Sequence, residues 1–399
     1  MAGRNFLFVP GPSNVPDRVL RAMVVAMEDH RSAIFPELAL ACLNGLKPVF
    51  KTSTGSPIIF PSSGTACWEA ALTNCLNLGD KVLIARFGQF SHLWASMATR
   101  LGYEVEILET PWGDGAPIDR YQAALAADKQ HKIKAVLFCQ NETATGVTSD
   151  VAAMRKALGN ATHPALLFVD AVSALASIDF RMDEWGVDVC ISGSQKGLML
   201  PAGLGITCVS QKALAAAKSA TSRRCYFDYA DMVNANATGY FPYTPSIPML
   251  YGLRESLAML AEEGLQNVFD RHHYLGAGVR AAVLQGWKLK LCATAPQWYS
   301  DTVSAIMLPE GINGADLIAH AFKRYNLALG AGLAQVAGKL YRIGHLGDLN
   351  ELMLLGAIAG AEMTMLDKGV KVEPGSGVAA AQNYWRTHSQ GAAAKGRAA

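Results

Sequence analysis

Charge is scarce in this chain: only 17% of its 399 residues are Asp, Glu, Lys or Arg, the formal net charge is +2, and no Lys/Arg block is longer than a pair such as Arg223-Arg224. A nucleic-acid partner requires a basic stripe and is excluded on this ground. Long hydrophobic runs are missing too. With no stretch of about eighteen uninterrupted apolar residues, no membrane-spanning helix is expected. The eight cysteines (Cys42, Cys67, Cys75, Cys139, Cys190, Cys208, Cys225 and Cys292) contain no C-x-x-C and lie mostly inside apolar runs. That excludes a disulfide frame or a zinc site and reads as small buried hydrophobes in a reducing compartment. Nine histidines show no ligand spacing, so no metal is expected, and the pair His272-His273 reads as part of an exposed helix. The N-terminus lacks a basic segment followed by an apolar run, and Lys395-Gly396-Arg397-Ala398-Ala399 is not a peroxisomal tripeptide, so the expected location is the cytoplasm. No internal repeat occurs.

What is present is apolar residues, 51% of the chain, enough for a large core, in a length beyond that at which one core usually stops growing. Seven apolar runs alternate with helix-sized segments between residues 57 and 210: Pro57–Phe60, Lys81–Ala85, Glu104–Leu108, Ala135–Cys139, Leu166–Val169, Val187–Ser192 and Leu204–Val209. This pattern predicts an α/β fold with a mostly parallel seven-stranded sheet covered on both faces. A helical pattern from Met249 to Glu263 ends at Gly264 and closes the large domain. The expected division is an N-terminal arm (1–20), a large domain (21–263) and a smaller α+β C-terminal domain (264–399). In the last, strands are expected at Thr302–Met307 and Lys339–Ile343 and helices at Ala315–Tyr325 and Leu349–Leu366. The tail after Trp385, rich in Ala, Gly and Ser, is expected to fray.

The most informative run is Ile191-Ser192-Gly193-Ser194-Gln195-Lys196-Gly197, which presents a lone lysine in a small-residue turn at a strand end. Desolvation there disfavours the ammonium and frees the amine to attack an aldehyde cofactor. Alone, the run reads as a strand end with a snorkelling lysine. Twenty-six positions earlier, however, the run Leu166–Val169 ends in Asp170. Ligands gather at the carboxyl ends of strands in α/β sheets, so Asp170 and Lys196 can face one crevice. A fixed carboxylate keeps the pyridine nitrogen of pyridoxal phosphate protonated, which its electron-sink chemistry needs. By itself a strand-terminal Asp is as often a helix cap or a ribose ligand.

Ser62-Ser63-Gly64-Thr65 opens a helix after the first of these strands and suits a phosphate monoester, although it lacks both a P-loop lysine and dinucleotide spacing and, taken alone, reads better as a plain N-cap. Asn141-Glu142-Thr143-Ala144-Thr145-Gly146 places hydroxyls at another strand end, where an ordinary turn is the alternative. Phe90 suits stacking on a flat ring or packing in the core. Arg342 interrupts the apolar run Leu340-Tyr341-Arg342-Ile343-Gly344-His345; its fork suits a substrate carboxylate, with a structural ion pair as the competing account.

In this order the motifs resemble the class V pyridoxal-phosphate aminotransferases, most closely the serine–glyoxylate aminotransferases among them. The resemblance runs from Phe8-Val9-Pro10-Gly11-Pro12-Ser13-Asn14-Val15-Pro16 through Glu28-Asp29-His30-Arg31-Ser32, Asn141 to Gly146, Asp179 to Asp188, Gly193-Ser194-Gln195-Lys196, Tyr243-Thr244-Pro245 and Arg342-Ile343-Gly344-His345 to Gly375-Ser376-Gly377-Val378-Ala379. It implies fold type I and a homodimer with sites at the subunit interface. Lys196 would carry pyridoxal 5'-phosphate as a Schiff base and then act as general base. Asp170 would hold the ring nitrogen, Thr143 the ring hydroxyl, and Phe90 would stack on the ring with Val172 beside it. Ser63, Gly64, Thr65 and Gln195 would hold the phosphate, helped by Tyr243 or Thr244 of the neighbouring subunit. Arg342 would take the substrate α-carboxylate, bordered by Pro10, Gly11 and, across the interface, His30 and Arg31. The implied reaction is ping-pong transfer from L-serine to glyoxylate, with alanine or aspartate as alternative donors. Two segments depart from the family pattern: Val169-Asp170-Ala171-Val172-Ser173-Ala174, with Ala171 where a glycine is expected, and Cys225-Tyr226-Phe227-Asp228-Tyr229. A cysteine desulfurase shares the fold but needs a cysteine on a mobile loop, whereas Cys292 follows Lys288-Leu289-Lys290-Leu291, which reads as a strand.

Overall fold

The computed structural model describes residues 5–388. One seven-stranded sheet runs edge to edge as Ser56–Pro61, Leu204–Val209, Val189–Gly193, Leu166–Asp170, Ile133–Cys139, Lys81–Arg86 and Glu104–Glu109. Leu204–Val209 pairs antiparallel with both of its neighbours, and every other pairing is parallel. The central strands are unbroken apolar runs because both their faces are covered: Leu167 and Val169 pack into one core layer, Leu166 and Phe168 into the other. Burying a side chain such as Phe168 contributes about 1.5–3 kcal/mol, so these layers are what fixes the strand ends.

Those ends matter because chain order reverses between Lys81–Arg86 and Ile133–Cys139. From there the chain progresses outward to Glu104–Glu109 on one side and to Leu166–Asp170 on the other. A crevice opens at such a reversal, outside the carboxyl ends of the strands.

A second, four-stranded sheet is ordered Phe6–Phe8, Leu327–Ala331, Leu340–Gly344, Val303–Met307. Helices Leu265–Ala281, Gly314–Tyr325, Glu351–Asp367 and Ser376–His388 build its core with Leu275, Leu317, Ile358 and Trp385. Phe6–Phe8 pairs parallel with Leu327–Leu329, so the N-terminal segment is a strand of this sheet. It then crosses to the large sheet, where the Ser13 amide donates to the Gln195 carbonyl at 3.0 Å.

Three local expectations are corrected. Arg386, Thr387 and His388 continue the last helix instead of fraying; the rest of the tail, with the C-terminal tripeptide, lies outside the described residues. Lys288–Leu291 is not a strand: it makes one bridge, Leu291 to Ile306, and Lys288 at its start has φ 57°. His272 is buried, with Nδ1 2.7 Å from the Val268 carbonyl and Nε2 accepting from the Gly347 amide at 3.0 Å, while His273 faces outward to Asp301. Burial pushes His272 down to about 3, so it stays neutral.

Candidate active site

Lys196 sits in the turn after Val189–Gly193 and is buried. Its Nζ donates to the carbonyl oxygen of Pro10 at 2.5 Å, and its own carbonyl accepts from the Ser13 hydroxyl at 2.9 Å. The turn is built of small residues for want of space: a Cβ on Gly197 would stand 2.2 Å from the Leu175 carbonyl. Burial, reinforced by the nearby Arg342 cation and opposed by Asp170, lowers the amine to about 8.

Asp170 ends the adjacent strand, in register with Ile191. Its Oδ1 accepts from the Val172 amide at 2.8 Å. Burial pushes the carboxyl up to about 7; the amide bond and Lys196 pull it down, and Glu142 pushes it further up. Burial thus outweighs the attraction of the Lys196 cation.

Between these groups lies a cavity of about 260 Å3. Ten residues singled out in the sequence border it: Gly11, Ser63, Gly64, Thr65, Phe90, Thr143, Asp170, Val172, Gln195 and Lys196. Ser63 precedes the helix Gly64–Cys75 in an extended conformation without capping it through its side chain, which leaves first-turn amides free for an anion. Gly64 is required because a Cβ there would sit 2.6 Å from Val172 Cγ2. Gln195 Oε1 is buried without a partner. Thr143 belongs to a short hairpin, Asn141–Glu142 with Val147–Thr148, and its hydroxyl lies 2.7 Å from Ser173 Oγ, which Asn141 Nδ2 holds at 2.8 Å.

Trp68, Asn141 and Ser173 also border the cavity, and sequence reasoning did not single them out individually. Trp68 stands four residues, one helical turn, after Gly64 and stacks on Trp94 at 5.8 Å. That spacing was the available signal. Its buried indole Nε1 lies toward the Asp170 carboxylate and helps to pull that carboxyl down.

Arg342 lies buried in Leu340–Gly344. Its Nε donates to the Ala331 carbonyl and one terminal nitrogen to the Thr143 carbonyl, both at 2.9 Å. No carboxylate comes within ion-pair distance among the described residues, so the structural ion pair is not its explanation. Burial lowers its pKa to about 10, with Glu142 opposing. Pro10 fits against the same strands: a Cβ on Gly344 would meet Pro10 Cα at 2.7 Å.

Six candidates do not line this cavity within one chain: Pro10 and Arg342 bond to its lining residues Lys196 and Thr143, whereas His30, Arg31, Tyr243 and Thr244 do not reach it. Arg31 is exposed, and His30 lies edge-on to Phe35 with Nε2 unpartnered. Tyr243 and Thr244 are exposed, Tyr243 stacking on Tyr226 at 5.2 Å. Of the cysteines, only Cys225 is exposed. Cys292 is buried, its thiol pushed up to about 11, and it does not border the cavity. A desulfurase would need it mobile and reactive. Among the described residues no group of side chains could hold a metal ion, and no helix is long and apolar enough to cross a membrane.

Residues 5–345 match the family model for aminotransferase class-V. The chain is 61% identical to a serine–glyoxylate aminotransferase of Methylorubrum extorquens, with 96% of each chain covered. It is 52% identical to an L-aspartate–glyoxylate aminotransferase of Paracoccus denitrificans, with 97% of each covered. Among solved structures it is similar to the ureidoglycine–glyoxylate aminotransferase of Bacillus subtilis, with a TM-score of 0.88 and 26% identity over 97% of this chain and 99% of that one.

Proposed function

The chain belongs to the class-V aminotransferases, and on that premise we propose that it transfers the amino group of L-serine to glyoxylate, giving hydroxypyruvate and glycine, with pyridoxal 5'-phosphate as cofactor. The observation that carries this reading is the 61% identity, over nearly the whole chain, to a protein named for that reaction.

The residues present fit the cofactor. Three features of one cavity await a ligand: the unpartnered Gln195 Oε1, the free amides at Gly64, and the Asp170 carboxyl, which burial pushes up to about 7. Ser63, Gly64, Thr65 and Gln195 would hold the phosphate, Thr143 the ring hydroxyl, and Phe90 and Val172 the ring faces. Asp170 would keep a proton on the ring nitrogen, and Lys196 would carry the carbonyl carbon. Bound there, pyridoxal phosphate supplies the electron sink into which charge from the substrate α-carbon spreads.

The protein's own groups then divide the work. Arg342, anchored by two backbone carbonyls, offers the rest of its fork to the substrate α-carboxylate. Lys196, with its amine at about 8, would take the substrate α-proton on Nζ as general base and hold it there as an ammonium. Pro10 and Gly11 cover the amine and exclude water from it. Glyoxylate and serine use the same carboxylate fork in turn, so the kinetics are ping-pong.

A homodimer would account for His30, Arg31, Tyr243 and Thr244. Val24, Met27 and Ile34 flank His30 and Arg31 and are 86%, 74% and 69% exposed in the single chain. Apolar side chains so exposed mark a surface for a second copy. There His30 and Arg31 would border the neighbouring subunit's substrate, and Tyr243 or Thr244 would reach its phosphate. Seven buried, unpaired thiols suit the reducing cytoplasm.

Aspartate is the second donor to weigh, because a relative named for it is 52% identical. Burying its second carboxylate unpaired costs several kcal/mol, so it becomes a good donor only if Arg31 reaches it. The test is kcat/KM for serine, alanine and aspartate with saturating glyoxylate, in wild type and Arg31→Ala. Serine leads in both. An aspartate preference that disappears selectively in Arg31→Ala overturns the serine assignment.

A further inference from the structure

Glu142 has no part in the chemistry above, yet its carboxylate is wholly buried beside the cavity. Its Oε2 accepts from the Ser91 amide at 2.9 Å and lies 3.0 Å from the Ser91 hydroxyl. The Phe90 amide reaches both oxygens, at 3.2 and 3.1 Å, and the Ala144 amide reaches Oε1 at 3.2 Å. Phe90 and Ser91 are in the first turn of the helix Gln89–Arg100, where amides have no partner within the helix. A negative charge at that end also meets the positive end of the helix dipole. Burial pushes the Glu142 carboxyl up while these donors pull it down.

The neighbourhood is shaped around this carboxylate. Gly88 has an ordinary extended backbone, so conformation does not require glycine. Space does: a Cβ there would stand 2.1 Å from Glu142 Cγ. On the other side, the carbonyl of the next residue, Thr143, seats the Arg342 guanidinium at 2.9 Å. One residue therefore links the aromatic wall of the cavity, contributed by Phe90, to the carbonyl that orients the arginine fork.

We propose that Glu142 is a positioning residue for the transamination, its buried carboxylate clamping the first turn of Gln89–Arg100 so that Phe90 stands against the cofactor ring. This rests on the cofactor reading given above. Glu142→Gln keeps the shape but turns an amide NH2 toward backbone donors, so the clamp loosens. Because it acts through Phe90, its effect and that of Phe90→Ala are not additive.

The test titrates the full chain, stripped of cofactor, with pyridoxal phosphate and follows quenching of tryptophan fluorescence, to which Trp68 at the cavity contributes, alongside thermal melts. Glu142→Gln weakens binding by on the order of ten-fold, the loss expected for a charge-assisted hydrogen bond left unmade. Gly88→Ala, which displaces the carboxylate without removing it, does the same. The double variant Glu142→Gln/Phe90→Ala binds no more weakly than the worse single variant. Unchanged affinity in Glu142→Gln with a lowered Tm, or fully additive losses in the double variant, overturns the proposal. Should Glu142→Gln not fold, Gly88→Ala alone and with Phe90→Ala decides in the same way. If wild type binds no pyridoxal phosphate, the cofactor reading itself falls, and this inference with it.

Discussion

Lys196 Nζ donates to the backbone carbonyl of Pro10 at 2.5 Å, so the first described residues of the chain close over the amine in the cavity. The same segment is bonded to the large sheet through Ser13 and to the small sheet through Phe6–Phe8. On the roles proposed for them, carboxylate recognition by Arg342 and the chemistry of Lys196 would both depend on how the two sheets are held together by this crossing strand.

Gly11 is the tightest point of that crossing. It has φ +116°, a conformation that side chains rarely adopt, and a Cβ there would lie 2.3 Å from Lys196 Nζ. Gly11→Ala is expected to cost about 1–3 kcal/mol of stability from backbone strain. It should also lower kcat/KM by roughly 100-fold, about 2.7 kcal/mol of transition-state stabilisation. Thermal melts and steady-state kinetics measure the two separately. Wild-type kcat/KM in Gly11→Ala would remove Pro10 and Gly11 from the site.

As the proposed carrier of the cofactor, Lys196 would set the pH dependence of its capture. The folded amine titrates at about 8 against an ordinary 10.5, so it is an ammonium below that pH and a nucleophile above it. Uptake of pyridoxal phosphate by stripped protein should accelerate as pH rises through about 8. The stability sign follows from the same shift: between about 8 and 10.5 the unfolded chain holds a proton that the folded chain has released. The cost of burying the ammonium is therefore full below 8 and fades as pH rises through this window. Lys196→Ala removes the amine: it should abolish turnover and the pH-dependent uptake, while its Tm at pH 7 does not fall. Near-normal transamination in Lys196→Ala would refute the assignment.

The strands of the large sheet were legible because burial on both faces leaves runs such as Leu166–Val169 with no polar residue to confuse the period. Lys196, Asp170 and Arg342 stood out for the converse reason, a charge inside or at the end of an apolar run. What escaped has physical causes as well. Trp68 looks like core in a helix rich in alanine, and it is packed on Trp94, yet one edge faces the cavity. The burial of His272 depends on the Gly347 amide, 75 residues away in sequence, which no local pattern reports. Glu142 lies within the strand-end motif of residues 141–146, but its partners Phe90 and Ser91 come from another strand end. Residues that would serve the neighbouring subunit, such as Arg31 and Tyr243, were visible only through family resemblance, because within one chain they face outward.

Arg342 offers the sharpest separation of recognition from cofactor binding. Its guanidinium is buried and is held by the Ala331 and Thr143 carbonyls, with no carboxylate bonded to it among the described residues. A buried cation without a counter-ion is costly, and an arriving carboxylate relieves that cost while gaining a bidentate contact. Arg342→Lys keeps the charge but cannot hold two carbonyls and a carboxylate in one plane. kcat/KM for glyoxylate should fall by roughly two orders of magnitude, about 3 kcal/mol, while bound pyridoxal phosphate is retained. The amine should respond as well: the cation remains, so the midpoint of cofactor uptake stays near 8 in Arg342→Lys and rises in Arg342→Gln, where the neighbouring positive charge is gone. Cofactor loss in Arg342→Lys with unchanged substrate affinity would instead make Arg342 a structural strut between the Ala331 and Thr143 carbonyls.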